Sequence, residues 1–225
     1  MTTGSGRAGC AVFDVDGTLL DTNYLHVAAW WEAFQERGLD IRSADVHRAL
    51  GQDSAALVEA VLGRTDDAVI KAHSRHFGPY LGRLRALPGA ADLLRATAAT
   101  GAQVVIATSA EPGELDFMLA AVGARDAISE VLSSADVEDA KPEPDMIHAA
   151  LEATGTDPGH CVMVGDAVWD VLAANRAGVA CVGLLTGGIS EQELRDAGAA
   201  AVYPDAAALL AGLADSPLSR CGTPR

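Results

Sequence analysis

Short hydrophobic runs divide the chain and predict the strands of a buried sheet. The four clearest runs are CAVFDV, AQVVIAT, HCVMVGD and ACVGLL, at residues 10–15, 102–108, 160–166 and 180–185. Val, Ile and Cys follow one another in these runs without regular polar alternation, which is typical of parallel strands covered on both faces. Weaker runs at residues 130–134 and 200–203 predict two further strands.

Helical patterns alternate with the strands from residue 90 onwards. Hydrophobic residues recur with helical spacing, and Gly or Pro marks most of the joins, at residues 90–100, 114–122, 144–154, 169–177, 191–197 and 205–214. Strand and helix alternation of this kind predicts an α/β fold, a doubly wound parallel sheet with helices on both faces.

The long interval between the first and second strands breaks this alternation. Its pattern is helical throughout, at residues 25–37, 44–50, 54–62 and 66–84. An ordinary crossover between parallel strands needs about a dozen residues or somewhat more, and the segment between these two strands is far longer. We predict a helical cap over residues 21–87, inserted into a core domain of residues 1–20 and 88–215. The cap would cover the carboxyl edge of the sheet, where open α/β sheets bind ligands.

The two ends of the chain and its overall charge limit which binding partners and which cellular location we expect. Residues 216–225 are expected to form a disordered tail. The chain has 31 Asp and Glu residues against 16 Lys and Arg, and its net charge of −15 disfavours binding to nucleic acid or to an anionic membrane. The N-terminus has no hydrophobic leader, no run is long enough to span a membrane, and no cysteines form a CxxC pair. We expect a cytoplasmic protein.

Two aspartates, Asp14 and Asp16, close the first predicted strand in the sequence AVFDVDGTLLDT. Like charges this close repel, and removing either from water is costly, so the pair indicates a bound cation, a chemical task or both. A calcium loop of the EF-hand type would need Gly at its sixth position and Glu at its twelfth. Here Gly17 is fourth and Leu25 is twelfth. A helix N-cap would explain one carboxylate and leave the other unexplained.

Three later motifs follow in a fixed order, each at a predicted strand end or in the adjoining loop. Thr108 ends the second strand, Lys141 opens KPEPD, and Asp166 and Asp170 lie in VGDAVWD. With the DVDGT motif they make the chain resemble the haloacid dehalogenase superfamily over nearly its whole length. The resemblance implies a Rossmann-like core with a C1-type helical cap, a Mg²⁺ cofactor and a small phosphorylated metabolite as substrate. It is compatible with a monomer or a weak homodimer.

The resemblance also implies a role for each motif residue. Asp14 would be the nucleophile that forms an aspartyl-phosphate, and Asp16 would protonate the leaving oxygen and then deprotonate water. Thr108 and Lys141 would complete the catalytic set by stabilising phosphoryl charge. Mg²⁺ would be held by Asp14, Asp166 and the backbone carbonyl of Asp16, with Asp170 behind them holding a water on the metal or the lysine. Substrate contacts are expected from Gly17, Thr18, His26, Gly51, Thr108, Ser109, Ala110 and Lys141.

Two types of enzyme in the superfamily remain as alternatives for the activity of this chain. Asp16 argues against a dehalogenase, because dehalogenases of this fold lack the second aspartate. A phosphatase resembling phosphoglycolate phosphatase is favoured over a sugar phosphomutase resembling β-phosphoglucomutase. Thr22, His26 and Trp30 match the mutase's hinge and first cap helix, but LGQDSAAL at residues 50–57 lacks its sugar-binding arginine and Pro112 replaces a polar residue.

A third alternative comes from another class of protein. Signalling receiver domains are also phosphorylated on Asp in an α/β fold, but they place the phosphoacceptor at the end of the third strand. Here the second and third strands end without Asp, so this alternative is disfavoured. Substrate specificity is expected in the cap, around residues 50–55, with Arg48, Lys71, His73 and His76 as further candidates, and Trp169 is a candidate on the leaving-group side.

Overall fold

A six-stranded parallel sheet forms the centre of the fold. The computed structural model describes residues 9–137, 139 and 141–222. The strands are β1 (Cys10–Phe13), β2 (Gln103–Ala107), β3 (Glu130–Leu132), β4 (Cys161–Gly165), β5 (Ala180–Leu184) and β6 (Ala201–Tyr203). Every pair is parallel and the order across the sheet is β3-β2-β1-β4-β5-β6. The predicted fold class is confirmed, and each predicted strand is present.

Helices enclose the sheet and also fill the interval between β1 and β2. In chain order they are α1 (Asn23–Glu36), α2 (Ser43–Ala49), α3 (Ser54–Leu62), α4 (Asp67–Phe77), α5 (Ala90–Ala99), α6 (Leu115–Val122), α7 (Asp145–Thr154), α8 (Val168–Arg176), α9 (Glu191–Asp196) and α10 (Ala206–Ala211). Two buried hydrophobic clusters lie on opposite faces of the sheet, as the uninterrupted hydrophobic strands predict. None of the helices in the described part of the chain has the length and apolar character needed to cross a membrane.

The insertion has a hydrophobic core of its own. Helices α1, α2, α3 and α4 bury a separate cluster that includes Trp30, Phe34, Leu57 and Val69. The chain enters and leaves this region side by side, because Asp21 N–H donates to Arg85 O at 3.0 Å and Leu87 N–H donates to Leu19 O at 2.9 Å. The division into domains at residues 21 and 87 stays a prediction, and residues 1–8 of the predicted core domain lie outside the described residues.

The fourth cap helix is shorter than the sequence pattern predicts for residues 66–84. Helix α4 ends at Phe77, and a 3₁₀ helix, Gly78–Arg83, follows it. Pro79 in this segment has no N–H to donate, so it cannot continue the α-helical hydrogen-bond ladder.

Residues 216–222 are ordered, so the expectation of a disordered tail was wrong for this part of the segment 216–225. Pro217–Cys221 forms a 3₁₀ helix in which Leu218 and Cys221 are buried. Gly9 N–H donates to Cys221 O at 2.9 Å, which fixes the segment beside β1. Burial of two apolar side chains offsets the entropy of ordering a short polar segment. Residues 223–225 lie outside the described residues.

Candidate active site

Three buried carboxylates meet at the carboxyl ends of β1 and β4. Asp14 follows β1, Asp166 follows β4, and Asp170 lies in the first turn of α8. The two strands end side by side because Phe13 pairs with Val164 in register. One oxygen from each carboxylate lies within 4.8 Å of the other two, and all three residues are at least nine-tenths buried. Solvent therefore screens their mutual repulsion only weakly.

Lys141 is the cation that faces this cluster. Its Nζ lies 2.5 Å from Asp14 Oδ1 and 2.8 Å from Asp170 Oδ1. Burial acts to lower the pKa of Lys141, but the charges of the two carboxylates outweigh it and raise the pKa above its usual value. The side chain thus stays charged while it is almost fully enclosed.

The cluster carries more negative charge than Lys141 can neutralise. Burial raises the pKa of Asp14 well above its usual value, against the opposing charge of Lys141. Burial also raises the pKa of Asp166, to about 7, and the charge of Asp170 adds to this effect. A divalent cation would relieve the excess, and carboxylate oxygens are the ligands that Mg²⁺ prefers. The residues present therefore fit a metal site.

Two donors orient the Asp166 carboxylate. Thr18 Oγ1 donates to its Oδ1 and Asn23 Nδ2 donates to its Oδ2, both at 2.8 Å. Each carboxylate oxygen has two lone pairs, so both can still bind a cation. Gly17 has a positive φ of 74°, and a Cβ at this position would lie 2.3 Å from both Asp166 Oδ2 and Asn23 Nδ2. The Asp-x-Asp-Gly sequence thus leaves room for the carboxylate of the neighbouring strand.

The Asp16 carboxylate turns away from the cluster and towards the cap. Thr22 Oγ1 donates to Asp16 Oδ1 at 2.5 Å, and His26 Nε2 lies 3.2 Å from the same oxygen. Burial acts to raise the pKa of Asp16, but the charge of His26 and the hydrogen bonds from His26 and Thr22 together lower it. Asp14 and Asp16 are two residues apart in the chain and have different electrostatic environments.

A second histidine lies behind His26. His26 Nδ1 is 3.2 Å from His73 Nε2, which places His73 in a chain of contacts that leads to Asp16. His26 stacks on Phe77 and His73 stacks on Trp30, each with ring centroids 3.9 Å apart. Aromatic packing from α1 and α4 thus fixes both imidazole rings.

We expect His73 to make stability fall in acid. Burial, and then the charges of His26 and His76, lower the pKa of His73 to about 2, whereas an unfolded histidine titrates near 6.5. Below about pH 6.5 the unfolded chain binds a proton that the folded protein does not. As the pH falls below 6.5, the contribution of His73 should lower the unfolding free energy by up to about 1.4 kcal/mol per pH unit. Above pH 6.5 this contribution should not change with pH. Urea unfolding between pH 7.5 and 5 should show a smaller slope for His73→Gln, and equal slopes in the two proteins would contradict the prediction.

A cleft opens between Asp14 and Asp16 of the core and the helical insertion that follows β1. Six of the predicted site residues line it: Asp14, Asp16, His26, Gly51, Ser109 and Ala110. Three further predicted residues do not line the cleft but contact residues of the site. Lys141 pairs with Asp14, Thr18 donates to Asp166, and the Thr108 hydroxyl accepts a hydrogen bond from Ala110 N–H at 3.1 Å.

The segment proposed for specificity lines the cleft through Leu50, Gly51, Gln52 and Ser54, whereas most of the further cap candidates lie elsewhere. Lys71 is exposed and does not line the cleft, and Arg48 pairs with Glu193 on the core at 3.0 Å. Trp169 Nε1 donates to Arg48 O at 3.3 Å, so it packs at the contact between cap and core. Of the four candidates outside residues 50–55, His73 alone lines the cleft.

The sequence analysis did not identify three polar residues of the site. Asn23 holds Asp166, and Glu111 and Glu114 line the cleft from the loop after β2. Asn23 directly follows the DVDGTLLDT segment, and the two glutamates stand three apart in SAEPGEL, just after Thr108. Their closeness to the motif residues in the sequence was the available signal.

Comparison with known proteins identifies the family. A sequence profile of the haloacid dehalogenase-like hydrolases matches residues 9–178. The chain belongs to this family. The resemblance seen in the sequence motifs is confirmed, and the matched region includes Asp14, Asp16, Asp166 and Asp170 together with Lys141.

Individual relatives of this haloacid dehalogenase-like hydrolase include a phosphatase. The chain is 32% identical over 212 residues to a phosphoglycolate phosphatase of Rhodospirillum rubrum, covering 88% of each protein. It is 31% identical over 213 residues to the chloroplastic protein SUPPRESSOR OF QUENCHING 1 of Arabidopsis thaliana, covering 89% of this chain and only 20% of that longer protein. The structure of a hydrolase from Pseudomonas syringae superimposes with a TM-score of 0.86 at 33% identity, over 92% of this chain and 98% of that one.

Proposed function

We propose that the chain hydrolyses a small-molecule phosphate monoester, with Asp14 as nucleophile and Asp16 as general acid and base. One observation carries the proposal: both carboxylates line the same cleft, but Asp14 is paired with Lys141 whereas Asp16 is paired with Thr22 and His26. Two carboxylates in different environments can perform two different tasks in one reaction. Membership of a hydrolase family and the similarity to a phosphatase support the same reaction.

In the first half of the reaction, an Asp14 oxygen would attack phosphorus as the bond to the leaving oxygen breaks. Lys141 favours the ionised, nucleophilic form of Asp14. Asp16, in its protonated form, would give its proton to the leaving oxygen, so the alcohol departs uncharged and Asp16 is left ionised. The Thr108 hydroxyl accepts a hydrogen bond from Ala110, and its own hydrogen can be donated to a phosphoryl oxygen.

In the second half, a water molecule would attack the aspartyl-phosphate. Asp16, now ionised, takes the proton of the water, and its lowered pKa suits this ionised state. The bond between phosphorus and the Asp14 oxygen breaks, which releases inorganic phosphate and restores the carboxylate. The cap covers Asp16 and limits access of other water molecules.

The carboxylates of Asp14 and Asp166 and the backbone carbonyl of Asp16 would hold Mg²⁺. When bound, the ion offsets the repulsion between these carboxylates and the phosphoryl oxygens. Asp170 accepts a hydrogen bond from Ala167 N–H at 3.0 Å and pairs with Lys141, so its task is to position the lysine.

A sugar phosphomutase is the second candidate, because His26 reaches Asp16 as the match to the mutase's first cap helix implies. A mutase must also hold the second phosphate of a bisphosphate intermediate, for which Arg and Lys are the suitable side chains. The described residues that line the cleft include neither. This charge distribution favours the phosphatase.

Release of inorganic phosphate from a panel of monoesters tests the proposal. The panel holds hexose phosphates, nucleotides, an aryl phosphate and short-chain esters, each with Mg²⁺ or with EDTA. We expect release with Mg²⁺, its loss with EDTA and its recovery when excess Mg²⁺ is added. Absence of release from every ester would overturn the phosphatase, and conversion of β-glucose 1-phosphate in the presence of a bisphosphate primer would establish the mutase.

A further inference from the structure

The charges around the cleft are unevenly distributed. Glu111 and Glu114 line it together with Asp14 and Asp16, and no Lys or Arg stands among the described lining residues. Lys141, the nearest cation described above, is already paired with Asp14 and Asp170. Any charged group on a substrate, apart from the phosphoryl group itself, would therefore meet acids and histidines.

Glu114 lines the same cleft as Asp16 and His26. It is half-buried at the residue before α6, and its N–H donates to Glu111 O at 2.9 Å. Burial raises the pKa of Glu114, while the charge of His26 acts to lower it and the charge of Asp16 to raise it further. The carboxylate is thus within electrostatic reach of Asp16 and His26, the two residues that attend the leaving oxygen in the proposed reaction.

The remaining wall is apolar or neutral. Trp30, Leu50 and Leu57 supply apolar surface from the cap, and Gln52 and Ser54 supply neutral polar groups. Such a wall accepts carbon chains with hydroxyl groups, and it supplies no counter-charge for an anion.

We propose that the cleft selects phosphate esters whose alcohol carries hydrogen-bond donors and no negative charge, with Glu114 as the specificity-determining residue. This inference rests on the proposed phosphatase function. A carboxylate accepts hydrogen bonds from a hydroxyl or an ammonium group and repels another carboxylate or a second phosphate. In spite of the similarity to a phosphoglycolate phosphatase, 2-phosphoglycolate should therefore be a poor substrate.

Three two-carbon esters test the inference, because they differ only in the group at the far end. They are 2-hydroxyethyl phosphate, O-phosphoethanolamine and 2-phosphoglycolate, with a hydroxyl, an ammonium and a carboxylate. We expect kcat/KM for the first two to exceed that for 2-phosphoglycolate by about 10- to 100-fold, since like charges brought together cost one to several factors of ten in binding.

The variant Glu114→Gln keeps the shape of the side chain and removes its charge. It should raise kcat/KM for 2-phosphoglycolate by about tenfold and change that for 2-hydroxyethyl phosphate much less. The matched control is Asp116→Asn, which removes one charge from an exposed position on α6 outside the cleft. It should leave unchanged the ratio of kcat/KM for 2-phosphoglycolate to kcat/KM for 2-hydroxyethyl phosphate. If Glu114→Gln fails to fold, Glu111→Gln, at an exposed position in the same loop, should shift the ratio in the same direction.

The outcomes separate the two proposals. If the parent protein hydrolyses none of the esters, including those of the larger panel, the phosphatase function itself fails. If it hydrolyses 2-phosphoglycolate as fast as the other two or faster, the phosphatase stands and the specificity inference is overturned. If both Gln variants keep the parent protein's preference for the other two esters over 2-phosphoglycolate, these glutamates do not determine the preference and the inference is overturned.

Discussion

Asp14→Asn should abolish phosphate release. An amide is a far weaker nucleophile than a carboxylate, so the route through an aspartyl-phosphate is closed, and kcat should fall by about 10⁴-fold or more. The measurement has two parts: the rate of phosphate release with Mg²⁺, and the mass of the acid-quenched protein. The parent protein should carry a phosphoryl group on the peptide that contains Asp14, and the variant should carry none.

Asp21→Asn is the matched control for this experiment. Asp21 is an exposed aspartate seven residues further along the same segment, and its backbone N–H, which the substitution retains, donates to Arg85 O. The control should release phosphate at the parent rate. An Asp14→Asn protein that keeps a rate within tenfold of the parent, or a phosphoryl group found on another residue, would refute Asp14 as the nucleophile.

Lys141→Met should destabilise the protein strongly as well as inactivate it. The substitution preserves length and apolar volume but leaves Asp14 and Asp170 as buried carboxylates with no cation. Breaking a buried ion pair by removing one partner costs about 3–5 kcal/mol. We expect a loss of this size in urea unfolding at pH 8 with EDTA present. The loss should shrink at pH 5, because burial raises the pKa of Asp14 and its protonation removes part of the uncompensated charge.

Lys71→Met is the natural comparison, since Lys71 is the other lysine of the chain and is exposed. It should leave the unfolding curve nearly unchanged. A destabilisation below about 1 kcal/mol in Lys141→Met would mean that water or a rearrangement compensates the carboxylates, against the buried pairing described above. Addition of Mg²⁺ should recover part of the lost stability, because a cation that binds only the folded protein stabilises it by mass action.

The strands and the parallel sheet were predictable because uninterrupted runs of Val, Ile and Cys admit few other structures. The meeting of Asp14 with Lys141, 127 positions apart, was implied by the family resemblance, which assigns both residues to one catalytic set. The break at Pro79 was missed because helical spacing continues across it in the sequence. The buried chain end was missed because Leu218 and Cys221 stand among polar and turn residues, where no periodic signal exists.

The polar residues of the cleft were harder to predict for a different reason. Glu111 and Glu114 lie in a loop, and a loop glutamate has the same sequence signature whether it faces solvent or a substrate. His73 stood among four cap candidates. The stack on Trp30 and the contact with His26 hold it in the cleft, whereas His76 pairs with Glu32 and Glu36 on the surface. Side-chain direction in such places depends on tertiary packing, which hydrophobic periodicity does not record.

The side-by-side entry and exit of the insertion has an evolutionary consequence. Because Leu20 and Ala86 form an antiparallel bridge, the two chain segments that connect the helical insertion to the sheet run side by side as one narrow neck. Recombination at this neck could replace the cap and preserve every carboxylate of the cluster. Glu111 and Glu114 would remain with the core, so a chimera should acquire the size and shape preference of its new cap and inherit the charge preference of its old core.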